Sequence, residues 1–185
     1  MGDLDHRAAR QRKDDLAERV TEAVAALGMR VKLLGVATVR RFLLQELPAP
    51  ESQQEVAHRA LAYATKLLTE AGVAVIVDAT APRRAWREAA RKLIPGFAEV
   101  QLVCPADICV ERERAARWRL SAEHRARPAG GGPPTRPDIV MDYEESLRPD
   151  LVLHTDRHDI WSTVEQALFL IHRLRRTALH RAASP

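Results

Sequence analysis

The stretch of this chain best suited to chemistry by residue type and spacing is Lys13-Asp14-Asp15, one cation beside two carboxylates. It opens an amphipathic helical pattern over 14–27, with Leu16, Val20, Val24 and Leu27 on one face and the two aspartates favouring the first turn. A further carboxylate, Asp78, closes the unbroken apolar run Val73-Ala74-Val75-Ile76-Val77. Phosphate binding by backbone amides needs a glycine-rich loop ahead of a helix, and no glycine lies between Gly2 and Gly28. His58, His124, His154, His158 and His172 share no metal-ligand spacing and read as surface histidines. Cys104 and Cys109 lack C-x-x-C spacing and read as buried thiols in a reducing compartment, so no metal site is expected.

The elements that must position these groups follow a rhythm. Three times a helical stretch ends in glycine and runs into an apolar strand: Leu27-Gly28, Ala71-Gly72 and Pro95-Gly96. Glycine closes a helix in the left-handed conformation, and continuous apolar strands belong to parallel sheets covered on both faces. Strands are expected over 31–34, 73–79, 100–103 and 151–153, with the apolar run 73–77 as a fully buried central strand. Helices are expected over 37–47, from Ser52 to Glu70, from Pro82 onward, over 106–120 and over 160–174. Ser52 with Glu55 forms a capping-box pattern, and Pro82 suits a first helical turn. The helix after Pro82 carries Arg83, Arg84, Arg87 and Arg91 along one side. Residues 125–137, rich in Gly, Pro and Arg, cannot pack as a regular element and read as a lid-like loop.

With 185 residues, 46% apolar and 29% charged, the chain has room for one globular domain. No apolar run approaches a membrane span, the start lacks an apolar leader, and a cytoplasmic setting is expected. The net charge is +4, carried by 25 Arg and 4 Lys. Arg173, Arg175, Arg176, His180 and Arg181 cluster near one end, with Arg7, Arg10, Arg12 and Lys13 near the other. Without interleaved aromatics for base stacking, these read as solvated helix ends favoured by the helix dipole, and nucleic acid is not an expected partner.

Four local matches, in order, resemble the adenylylsulfate kinase family. They are Arg30-Val31-Lys32-Leu33-Leu34 with Val39-Arg40; Val75-Ile76-Val77 with Ala81-Pro82, Arg84 and Arg87; Phe97-Ala98-Glu99-Val100 through Cys104-Pro105-Ala106-Asp107-Ile108-Cys109 and Arg112; and Tyr143-Glu144 with Pro149-Asp150-Leu151-Val152-Leu153 and Thr155. They run from about Leu16 to Leu174. The resemblance implies an α/β P-loop-kinase-like parallel sheet, flanked by helices, in a single domain over 1–185. About four strands are expected, the family's first being lost. Residues 1–13 correspond to the phosphate loop and 121–142 to a lid.

The resemblance places Lys13 where the loop lysine lies, with Asp14 and Asp15 replacing the hydroxyls that hold Mg²⁺ and Arg7, Arg10 and Arg12 replacing glycines. Asp78 stands where such kinases place a metal-relay carboxylate, with a plain strand-end cap as the alternative. Gly35-Val36-Ala37 replaces the family's D-G-D, Ala81 the serine of its S-P turn, and Ala115-Ala116 its K-G. Arg40, Arg59, Arg84 and Arg87 correspond to positions that hold adenylylsulfate, and Arg112 to a nucleotide position. Mg-ATP is the cofactor the family implies, without an intact motif to hold it. The implied function is a degenerate homologue in sulfate activation, binding an adenylyl nucleotide with weak or no phosphoryl transfer. The alternatives are an active adenylylsulfate kinase with an atypical phosphate site, a small kinase of polynucleotide-kinase type, and a basic nucleic-acid-associated protein. Loss of an inner strand implies that its neighbours close up, that a partner fills the gap, or that the sheet stays open. A homodimer or hetero-complex is expected on that ground.

Overall fold

The computed structural model describes residues 2–43, 50–105, 107–108, 111 and 142–182. In chain order its elements are α1 (Gly2–Ala26), β1 (Val31–Gly35), α2 (Val36–Leu43), α3 (Pro50–Glu70), β2 (Ala74–Asp78), α4 (Arg84–Leu93), β3 (Val100–Val103), β4 (Leu151–His154) and α5 (Ile160–Ala182). The lid-like loop expected over 125–137 lies outside the described residues.

The glycines close helices as their sequence context implies. Gly28 and Gly72 adopt φ of 76° and 75°. The Gly28 N–H donates to the Ala25 carbonyl at 2.9 Å and the Gly72 N–H to that of Thr69 at 3.0 Å. The following Met29 and Val73 amides reach back to Val24 and Leu68. This paired closure satisfies carbonyls that the helix end leaves open. Helix α3 differs from its expected start: it begins at Pro50, where a missing N–H costs nothing, so Ser52 lies inside the helix and cannot be its N-cap. Helix α1 reaches back to Gly2 and α5 on to Ala182, both longer than their apolar periodicity marks.

The strands form two parallel pairs. β1 pairs with β2 in the register Val31↔Ala74 to Gly35↔Asp78, and β3 with β4 from Val100↔Leu151 to Val103↔His154. Among the described residues β2 and β3 share no ladder, so the neighbours of the absent strand do not close up. The burial of β2 follows. No residue of the expected central strand is fully buried, and Val77 is 42% exposed, because β2 has a partner on one side alone. One core nevertheless serves both pairs. Leu16, Val20 and Val24 of α1 meet Leu153 of β4 and Val164 and Ala167 of α5, with Val31, Ile76, Leu102 and Leu151 packed against them.

Candidate functional site

Parallel α/β sheets bind ligands beyond the carboxyl ends of their strands, and there β2 ends in Asp78. Lys13, in the middle of α1, sits across from it: its ammonium is hydrogen-bonded to Asp78 and lies 3.0 Å from the Asp14 carboxylate. Burial pushes the Asp78 carboxyl above the ordinary carboxylate range, and the Lys13 ammonium works against that rise. One cation thus faces two carboxylates. Gly35, level with Asp78 in the ladder, lies under the start of α2, where a Cβ would sit 4.0 Å from the Asp78 carbonyl and from Thr38 Oγ1.

This constellation does not fit a nucleoside triphosphate. Polyphosphate needs free N–H groups on open backbone and an unengaged cation. Here α1 is helical through the positions where the resemblance puts the loop. An interior helix amide already donates to the carbonyl four residues back, the Lys13 ammonium is taken, and the carboxylates would repel phosphate.

The second group of candidates lies at the start of α4. Arg87 is 7% exposed and forms an ion pair with Glu99, itself 8% exposed, at 2.8 Å. Its guanidinium also donates to the carbonyls of Ala81 at 2.6 Å and Pro82 at 3.3 Å, and to that of Glu144. It stacks over the Tyr143 ring at 4.8 Å. Arg84 donates from its backbone N–H to Glu144 Oε2 at 2.7 Å and from Nε to the Glu145 carbonyl at 3.0 Å. Glu144 therefore caps α4 from a distant part of the chain, and the Arg84 amide, with Arg83, holds its carboxyl below the usual range. Below these, Arg91 and the Glu99 amide both donate to Asp150 at 2.8 Å, knitting α4 to the start of β3 and β4.

Arg40, half-buried on α2, faces His58 of α3, and His58 stacks on Trp86 of α4 with ring centroids 4.7 Å apart. Burial, with the Arg40 charge, lowers His58 to a pKa of about 4. His58 is thus no surface histidine. Its place beside Ala57 and three residues before Leu61, on the apolar side of the helical pattern, was the available signal. Arg59 points outward, 77% exposed, 3.7 Å from Glu55. The structure thus brings Lys13 to Asp78 and gathers Arg84 and Arg87 around Tyr143-Glu144, while Arg59 stands apart and Arg112 lies outside the described residues. Among the described residues no His, Cys, Asp and Glu cluster could hold a metal, and Cys104 is half-buried.

Parallel βα units with a carboxylate at a strand end, facing a helix that starts where a phosphate loop would lie, define a kinase-type α/β protein. The family model for adenylylsulphate kinase matches residues 9–153, and the chain belongs to that family. It is 30% identical over 147 residues to the probable adenylyl-sulfate kinase of Archaeoglobus fulgidus, covering 80% of this chain and 90% of that one. It is also 30% identical over 153 residues to an adenylyl-sulfate kinase of a Synechococcus species, covering 78% and 87%. The fold is that of the P-loop kinases. The Mycobacterium tuberculosis APS kinase CysC, solved in complex with AMPPNP and APS, superposes with a TM-score of 0.65 at 24% identity, covering 86% of this chain and 90% of that one. The hexameric APS kinase of Thiobacillus denitrificans gives 0.60 at 21% identity, covering 87% of this chain and 26% of that one. No helix among the described residues is long and apolar enough to cross a membrane.

Proposed function

We propose that this chain is a non-phosphorylating adenylylsulfate kinase homologue, a cytoplasmic protein that binds an adenylyl nucleotide and transfers phosphate weakly or not at all. The observation that carries the reading is the engagement of Lys13. Phosphoryl transfer relies on positioning and on cancelling charge. A lysine held by Asp78 and Asp14 inside a helix offers neither a cradle nor a net positive field to a triphosphate. Arg87 is committed to protein carbonyls and Glu99, so this reading assigns the contact with an adenylylsulfate anion to Arg40 of α2 and Arg84 of α4, two of the positions the resemblance gives that ligand. The acceptor nucleotide is therefore the ligand this reading favours over ATP.

Calorimetric titration with ATP–Mg²⁺, then with adenylylsulfate, followed by a coupled turnover assay on the same sample, tests it. Adenylylsulfate binding without ATP binding is expected, with turnover at least roughly 10³-fold below that of a family member with an intact loop. Binding of both nucleotides with product formed at an ordinary rate would overturn the reading.

A further inference from the structure

The turn that leaves β2 is held by an arginine whose donors are spent on the protein. Ala81 and Pro82 follow the carboxyl end of β2, the ligand side of a parallel sheet. Both carbonyls accept from the Arg87 guanidinium, at 2.6 and 3.3 Å. Ala81 keeps φ of 41°, a conformation that persists where the surroundings over-determine it. Behind Arg87 stands buried Glu99, which also meets Arg91 at 3.3 Å, and Arg91 reaches Asp150 at 2.8 Å. Anchored in this way, Arg87 holds a second piece of chain. It donates to the Glu144 carbonyl and lies over the Tyr143 ring. The Glu144 N–H completes the grip by donating to the Pro82 carbonyl at 2.9 Å.

This strap, residues 143–145, in turn sets Arg84. Glu144 Oε2 accepts from the Arg84 amide at 2.7 Å, and the Glu145 carbonyl accepts from Arg84 Nε at 3.0 Å. A guanidinium is planar, so fixing Nε fixes the direction of its two terminal nitrogens. Those two make no other hydrogen bond among the described residues, and a paired N–H edge is the geometry that grips a sulfate or phosphate at two oxygens. An arginine already held through Nε also loses less side-chain freedom when it binds. We infer that Arg87, backed by Glu99, is a positioning residue that acts through the 143–145 strap to aim the Arg84 fork at the anionic group of the nucleotide. The inference rests on the reading that Arg84 meets adenylylsulfate. Arg87 itself is 7% exposed and acts at one remove from the ligand.

Two substitutions separate positioning from plain charge. Glu99→Gln and Glu144→Ala each remove a negative charge from this cluster. Charge alone would make both variants bind an anion more tightly, whereas lost positioning makes both bind adenylylsulfate about tenfold more weakly in calorimetry. Arg87→Lys, which keeps the charge and loses the fork, is expected to match them. In an Arg84→Ala background none of the three should weaken binding further, because the group they aim is gone. Glu144 is 38% exposed, so its variant reports even where a change at buried Glu99 prevents folding. Unchanged or tighter binding by Glu144→Ala, or a loss that persists in the Arg84→Ala background, would overturn the inference. A wild type that does not bind adenylylsulfate would instead sink the functional reading, and proton exchange at the Arg84 Nε–H, followed by NMR, then decides the strap. Exchange at least about tenfold faster in Arg87→Lys and Glu144→Ala than in the wild type is expected; equal exchange in all three would overturn the inference.

Discussion

Lys13 extends from α1 to the end of β2, where its ammonium sits between the Asp14 and Asp78 carboxylates and offsets their mutual repulsion. Lys13→Ala therefore acts on folding rather than on ligand. The pair is partly screened, so a loss of about 1–2 kcal/mol is expected, seen as a lower melting temperature. Nucleotide affinity, read by calorimetry, should change by less than about tenfold; a larger loss would mean that the lysine still serves a phosphate. His58 gives a pH dependence of definite sign. Its folded pKa is about 4, against roughly 6.5 in an unfolded chain. Above the higher value it is neutral in both states and contributes no slope. As pH falls from there towards the lower value, the unfolded chain takes up a proton that the folded site refuses, so stability is lost, by up to about 3 kcal/mol. His58→Phe keeps the stack on Trp86 and removes the titration. Urea unfolding of both proteins across that window should show the steeper decline in the wild type. Asp78, whose raised carboxyl contributes with the opposite sign, is common to both and cancels.

At the scale of elements, what could be read from sequence was what a residue type dictates locally. Gly28 and Gly72 could be placed at helix ends because only glycine takes their left-handed backbone without penalty. Gly72→Ala should accordingly cost about 1–2 kcal/mol in denaturant unfolding. Ala81 escaped such reading. It holds φ of 41° in the turn before α4, a conformation alanine does not announce, and the Arg87 guanidinium secures its carbonyl. Ala81→Gly relieves that strain while adding unfolded-state entropy, so a change between zero and about 1 kcal/mol of stabilisation is expected. The arginines of α4 show the same limit. Their spacing sets them along one side, and the resemblance puts Arg84 and Arg87 on a ligand, yet Arg87 is buried against the protein itself. Its partners Glu99, Tyr143 and Glu144 come from other elements, and no local pattern encodes that meeting. The Lys13–Asp78 contact was likewise out of reach of spacing, though both residues stood out by type.

Across the whole molecule, two separate strand pairs must be held by something other than a continuous ladder. The α1 face of Leu16, Val20 and Val24, with Val164 and Ala167 of α5, packs on residues from both pairs. Hydrophobic burial under these two helices thus does what strand pairing between β2 and β3 does not. If so, the halves unfold together. Leu153, 1% exposed on β4, lies at the centre of that shared core. Leu153→Ala should remove about 2–5 kcal/mol through lost burial and the cavity left behind, which for a domain of this size lowers the midpoint by roughly 5–15 °C. The diagnostic readout is cooperativity. Trp86 reports on the α3–α4 side and Trp161 on α5, so variants keeping one or the other can be followed by fluorescence alongside circular dichroism. Coincident transitions that shift together in the Leu153→Ala background are expected. If the Trp161 signal is lost early while Trp86 keeps its wild-type midpoint, each strand pair is stable with its own helices, and the shared core is not what unites them.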